Sequence, residues 1–117
     1  MKEKYITITG MNHYYGLRPF SVGKKVKCMK DKNNPYDSEA IKVVIKDLGT
    51  VGYIANNPYT TATGTMSAGR IYEQVKKKFV VEVMFITSSK VICRVIEGLK
   101  TVKETEKETM NVEEVAE

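Results

Sequence analysis

The densest concentration of side chains able to bind or react runs from His13 to Asp37. Three features converge there. Asn12-His13-Tyr14-Tyr15-Gly16 carries an aromatic pair, and Arg18, Lys24, Lys25, Lys27, Lys30 and Lys32 form a basic run interrupted by one acid, Asp31. Asn33-Asn34-Pro35-Tyr36-Asp37 then reads as a turn. Such a run of cations makes a phosphate-attracting surface. Tyrosines beside it can stack on unpaired bases, worth about 1–3 kcal/mol per base and open only to single strands or frayed ends. The same residues also suit a solvated strand face with tyrosines capping a barrel, and composition leaves both readings open.

The turn carries more information. Pro35 holds one φ angle at about −65°, and Asn and Asp bond nearby backbone groups, so Asn34–Asp37 presents Tyr36 and Asp37 together on a stiff support. One role for Asp37 is to cap the short Ser38-Glu39-Ala40 turn that follows. The other follows from its charge. A lone carboxylate in a basic surface is a poor partner for phosphate and a good acceptor for a hydroxyl, a distinction that matters at a strand terminus.

Other chemistries find little support. His13 is the only histidine and has no evident triad partners, and neither Cys28 nor Cys93 lies in a nucleophile motif. A metal centre would need His13, both cysteines and a further donor to converge from distant segments, for which spacing gives no support. There is no GxxxxGK[ST] phosphate loop. No cofactor and no catalysis are expected. Met29, Met66 and Met84 read as packing or surface residues. Arg70 and Lys76–Lys78 either extend the basic surface or form a solvated helix face.

Positioning these residues requires strands. Tyr5–Thr9 alternates with Ile6 and Ile8 on one face and Tyr5, Thr7 and Thr9 on the other. Val26–Lys30 alternates likewise, with Val26 and Cys28 opposite Lys27. Ala40–Ile45 and Thr50–Ile54 flank Lys46-Asp47-Leu48-Gly49, whose Asp and Gly supply hairpin chemistry. Asn57 before Pro58 suggests a capped helical turn, but Thr60, Thr61, Thr63, Gly64 and Thr65 limit it to one or two turns with a break near Gly64. Ile71, Tyr72 and Val75 predict a short amphipathic helix over Ser67–Val75, with Lys76–Lys78 in its last turn. Phe79–Thr87 and Val91–Ile96, joined by Ser88-Ser89-Lys90, read as a second hairpin. Six short strands and one or two short helices predict a mainly β fold, a small six-stranded OB-like barrel, partly closed.

The whole chain has 117 residues, with 19 Lys+Arg against 14 Asp+Glu and a net charge of +5. That length fits one domain. Residues 1–99 hold 16 basic and 8 acidic side chains, a net +8, whereas residues 100–117 hold 3 basic and 6 acidic, a net −3. The barrel is therefore expected over 1–99 and an acidic, disordered tail, or at most a marginal helix, over 100–117. No apolar run reaches signal-peptide or membrane-spanning length, so no membrane partner and a cytoplasmic location are expected. The two distant cysteines are expected as packed thiols rather than a bridge.

Gly10 with Tyr14 and Tyr15, Gly23-Lys24-Lys25-Val26, Asp31 through Val43 with its Asn34-Pro35-Tyr36-Asp37 and Ala40-Ile41-Lys42-Val43, and Val51-Gly52-Tyr53-Ile54 resemble the HIRAN domain. The resemblance covers about residues 5–97. Members of this family occur at the N-terminus of helicase-like DNA-remodelling and fork-reversal proteins and alone in small bacterial or phage proteins. The resemblance implies an OB-like barrel that grips the 3′ end of single-stranded DNA. Carried over by position, Tyr36 and Tyr14 would stack on bases, Asp37 would accept from the terminal 3′-hydroxyl, and Asn34 would support the turn or a backbone contact. Tyr15, Arg18, Lys30 and Lys32 are the remaining DNA-binding candidates, together with two departures from the family pattern. His13 stands where the family has arginine, and Tyr53 where it has histidine. Imidazole is mostly neutral at pH 7, so His13 removes a permanent phosphate contact. The expected partners are single-stranded DNA or DNA 3′ ends and a helicase or other replication or repair protein. The competing reading is a recruitment module that receives a protein partner on a barrel edge.

Overall fold

Period-two alternation governs most of the chain, and the computed structural model, which describes residues 3–101, turns it into six antiparallel strands. These are β1 (Tyr5–Thr9), β2 (Lys25–Lys30), β3 (Ile41–Ile45), β4 (Gly49–Ile54), β5 (Val75–Ile86) and β6 (Val91–Leu99). They close into one barrel in the order β1-β4-β3-β2-β5-β6. The closure is complete rather than partial. Alternate residues point inward, so Ile6 and Ile8, Val26 and Cys28, Ile41 and Val43, Val81 and Val83, and Val91 and Cys93 form a continuous buried core. Each buried aliphatic side chain of this size contributes about 1.5–3 kcal/mol relative to exposure.

The β3–β4 hairpin turns where its residues allow it. Asp47 adopts φ 74° and Gly49 φ 81°, and the Leu48 N–H donates to the Ile45 carbonyl at 3.0 Å. A bulge at Val43/Val44 leaves both Val51 and Gly52 of β4 buried. A Cβ on Gly52 would stand 2.8 Å from Ile8 Cγ2 and 3.0 Å from the Thr9 carbonyl, so β1 lies too close for any side chain there.

Strand β1 pairs with β4 only at Ile8↔Ile54 and Thr9↔Tyr53. Beyond Ile54 the chain leaves the ladder but keeps bonding to β1. Ala55 N–H donates to the Thr7 carbonyl and Met66 N–H to the Tyr5 carbonyl, each at 2.8 Å. Thr7 points to the polar face, as alternation predicts, yet it is fully buried because this connection covers it. Its Oγ1 accepts from Ala62 N–H at 3.1 Å and lies 2.7 Å from Thr65 Oγ1, satisfying a hydroxyl that would be costly to bury unpaired.

The expected helix over Ser67–Val75 is shorter than the sequence suggests. Ser67 Oγ caps α1 (Ala68–Ile71) by accepting from Arg70 N–H at 3.3 Å, and a 3-10 turn follows over Tyr72–Gln74. Lys76–Lys78 do not complete a helix. They lie in β5, which starts at Val75 with φ −119° and ψ 153° and pairs there with Leu99. Ile71 and Val75 imitate a helical stripe because both are buried four residues apart, one on α1 and one on a strand.

Among the described residues no helix is long and apolar enough to cross a membrane. Of the acidic tail expected over 100–117, residues 102–117 lie outside the described residues.

Candidate nucleic-acid interface

The turn after β2 is built by one side chain. Asn34 Oδ1 accepts from the N–H groups of Tyr36 and Asp37 at 2.9 and 3.0 Å, and Asn34 N–H donates to the Asp31 carbonyl at 3.1 Å. Pro35 holds the corner. This geometry presents Tyr36 almost wholly to solvent, at 96% exposure. The Asp37 carboxylate is held at both oxygens: Oδ1 accepts from Glu39 N–H at 2.9 Å, and Oδ2 accepts from Asn56 Nδ2 at 2.9 Å. Asn56 in turn accepts from Gly69 N–H at 2.8 Å through Oδ1, tying the turn to the start of α1.

Tyr53 arrives from β4. Its hydroxyl donates to Asp31 Oδ2 at 2.9 Å, and Asn34 Nδ2 donates to the same oxygen at 3.3 Å. Burial, and then the Asp31 carboxylate at its hydroxyl, push Tyr53 up to about 12. It therefore stays a neutral hydrogen-bond donor at ordinary pH. The Tyr14 ring lies beside it, centroid to centroid 6.5 Å and tilted 36°. That spacing is within the range of a favourable aromatic pair.

These residues surround an open groove of about 310 Å³ lined by Thr9, Asn34, Tyr36, Asp37, Ala40, Tyr53, Ile54, Ala55, Asn56, Asn57 and Thr60. Asp37 is the one charged residue in that lining. The groove thus offers an acceptor, amides and aromatic surface, but no cation.

The remaining sequence candidates are spread over the surface. Tyr15 is half-exposed and its hydroxyl donates to the Leu48 carbonyl at 3.2 Å, bracing the β3–β4 hairpin. His13 lines a separate, smaller pocket with Met11, Leu17 and Ser88. Arg18 is exposed on the connection before β2, and Lys32 is exposed two residues from Asn34. Lys30 places its ammonium 4.4 Å from the centre of the Tyr72 ring, a cation–π contact that turns it toward the helical insert. The sequence candidates that share the groove are therefore Asn34, Tyr36, Asp37 and Tyr53, with Tyr14 adjoining.

Sequence reasoning missed Asn56, which holds Asp37, and the groove-lining pair Asn57 and Thr60. For Asn57 and its neighbour Thr60 a signal was available in the second Asn-Pro-Tyr at 57–59, read only as a helix start. It also placed the cations by position in the chain rather than across the sheet. The ladder sets Thr9 beside Tyr53, Tyr53 beside Lys42, Lys42 beside Met29 and Met29 beside Lys78. This row crosses the outer barrel face from the groove and contains two lysines and no acid. By contrast Lys25 faces Glu82, which pairs with Arg94 at 2.8 Å, and Lys27 lies in a row that reaches Glu97 through Val80.

Neither cysteine is poised for chemistry. Both are buried, which pushes Cys93 up to about 12 and Cys28 well above the ordinary thiol range. Among the described residues no group of three or more His, Cys, Asp or Glu side chains is arranged to hold a metal ion.

The family model described as HIRAN domain matches residues 2–84. The chain belongs to the HIRAN domain family. HIRAN domains are in general DNA-binding domains. A search of curated proteins found no match. Among solved structures, this HIRAN domain is similar to the HIRAN domain of human HLTF, with a TM-score of 0.60 and 20% identity over 90% of this chain and 80% of the other. It is also similar to a protein from Lactobacillus plantarum, with a TM-score of 0.55 and 21% identity over 79% of this chain and 88% of the other. Identity this low shows the shared fold, which is the OB-like barrel expected from the strand pattern.

Proposed function

We propose that this HIRAN domain binds single-stranded DNA, preferentially at a free 3′ end, without catalysis. The observation that carries the reading is the Asp37 carboxylate, held in place by Glu39 N–H and Asn56 Nδ2, as the one charged group in a groove that also presents Tyr36. Each held oxygen keeps acceptor capacity for a hydroxyl hydrogen. A 3′-hydroxyl donates there, while a 3′-phosphate meets a like charge with no compensating cation. Tyr36 and Tyr14 stack on terminal bases. Stacking is tolerant of sequence, so base identity is secondary. Phosphates upstream of the end find cations outside the groove, on the row containing Lys42 and Lys78. Strand separation is the work of a helicase or other replication or repair partner.

The test compares one short single-stranded oligonucleotide carrying a free 3′-hydroxyl with the same oligonucleotide carrying a 3′-phosphate, at two salt concentrations. A hydrogen bond to a charged group is worth about 1.5–3 kcal/mol, so the hydroxyl form should bind roughly 10- to 150-fold tighter. Equal affinity for both ends removes the role of Asp37. No binding at low salt removes the DNA reading and leaves the protein-recruitment module.

A further inference from the structure

Two matching turns line the groove. Asn34-Pro35-Tyr36-Asp37 and Asn57-Pro58-Tyr59-Thr60 share the Asn-Pro-Tyr sequence and also the same local geometry. In the first, Asn34 Oδ1 accepts from the next two available N–H groups, those of Tyr36 and Asp37, at 2.9 and 3.0 Å. In the second, Asn57 Oδ1 accepts from Tyr59 and Thr60 at 2.9 and 3.0 Å. Both asparagines line the groove, as do Tyr36, Asp37 and Thr60. The Asn56–Asp37 hydrogen bond at 2.9 Å staples one turn to the other.

Both turns leave a tyrosine outside the fold. Tyr36 is 96% exposed and Tyr59 92%, far more than the half-exposed Tyr14 and Tyr15. Burying an aromatic ring is a large source of stability, so a ring held clear of the barrel contributes almost nothing to folding. The asparagine bonds and the prolines hold the two backbones in place before any ligand arrives. Less ordering is then lost on binding than with a flexible loop, and this favours a contact surface. A planar aromatic ligand is the chemistry that such rings suit.

We propose that Tyr59 is a further base-stacking platform, carried on the second turn as Tyr36 is on the first, so that unpaired bases near the end of a strand are held from both turns. The inference rests on the single-stranded DNA reading. The two turns differ in one functional respect. The fourth residue of the first turn is Asp37, which can take the terminal hydroxyl; that of the second is Thr60, whose Oγ1 lies against the Asn57 carbonyl at 3.5 Å. Tyr59 therefore adds affinity for unpaired bases without adding end discrimination.

The experiment measures Tyr59→Ala and Tyr59→Phe binding to the oligonucleotide with a free 3′-hydroxyl and to the same strand with an abasic site at each of its last few positions. Losing one stack should weaken Tyr59→Ala roughly 5- to 150-fold on the intact strand, while Tyr59→Phe, which keeps the ring, stays near the parent. At one abasic position the parent should lose affinity and Tyr59→Ala should lose none further. The ratio between 3′-hydroxyl and 3′-phosphate ends should be unchanged in both variants. Parental binding by Tyr59→Ala overturns the proposal while leaving the role of Tyr36 and Asp37 intact. A parent protein that binds no single-stranded DNA overturns both together, and equal abasic losses in parent and Tyr59→Ala place the stacked base elsewhere and overturn this assignment.

Discussion

Tyr53 occupies the position where the family resemblance leads one to expect histidine, and its hydroxyl is committed to Asp31 rather than turned to solvent. The exchange replaces a titratable imidazole with a donor that remains neutral. Its ordinary value of 10.0 is raised to about 12 in the fold. Because the folded state holds this proton more tightly, the stabilisation is complete below 10.0 and is lost as pH rises through about 12. Ultraviolet titration of tyrosinate should show a late component that Tyr53→Phe removes, distinct from that of Tyr5, whose hydroxyl donates to Glu3 and is also pushed up. Alkaline unfolding over that window should be correspondingly shallower in the variant. At this scale the sequence offered ten DNA-binding candidates, and of these the structure places Asn34, Tyr36, Asp37 and Tyr53 in the lining of one groove. The sequence did not offer Asn56, because a side chain that reaches Asp37 from 19 positions away leaves no local pattern.

Among the elements, alternation placed the core-facing residues of β1 and β2, Ile6 and Ile8 and then Val26 and Cys28. It failed where a short helix runs straight into a strand. Ile71 and Val75 are both buried, but the backbone changes from α to extended between them, and a periodicity argument cannot see that switch. Lys76–Lys78 consequently belong to β5, where Lys78 stands beside Met29 on the outer face. Gly52 is the other element-scale lesson. In sequence it is one member of a Val-Gly pair, whereas in the barrel it is where β1 passes against β4. Gly52→Ala should destabilise the domain by about 1–3 kcal/mol, as overpacking of a tight contact does, and chemical denaturation would measure it. A variant as stable as the parent would show that the two strands can separate slightly without loss.

For the molecule as a whole, the net charge matters less than the way closure distributes it. Around the outer face, Lys25 is answered by Glu82 and Arg94 by both Glu82 and Glu3, whereas the row from Tyr53 through Lys42 and Met29 to Lys78 carries no acid. Neutralising a phosphate contact to single-stranded DNA lowers the slope of log affinity against log salt by about 0.7. Lys42→Gln and Lys78→Gln should each lower it by about that amount with the 3′-end preference unchanged, and Lys25→Gln should leave the slope alone. Equal slopes in all three proteins would mean that the cations act only through the overall charge.

The sequence by itself determined the strands, the stiff Asn-Pro-Tyr-Asp turn and the family, because alternation, proline geometry and contiguous motifs are properties of neighbouring residues. Only the tertiary structure decided that Asn56 holds Asp37, that a second Asn-Pro-Tyr turn lines the same groove as the first, and that Lys42 and Lys78 join one row leading from the groove. Those relations cross the barrel between residues far apart in the chain, and they exist only once hydrogen-bond register and closure have brought the strands side by side.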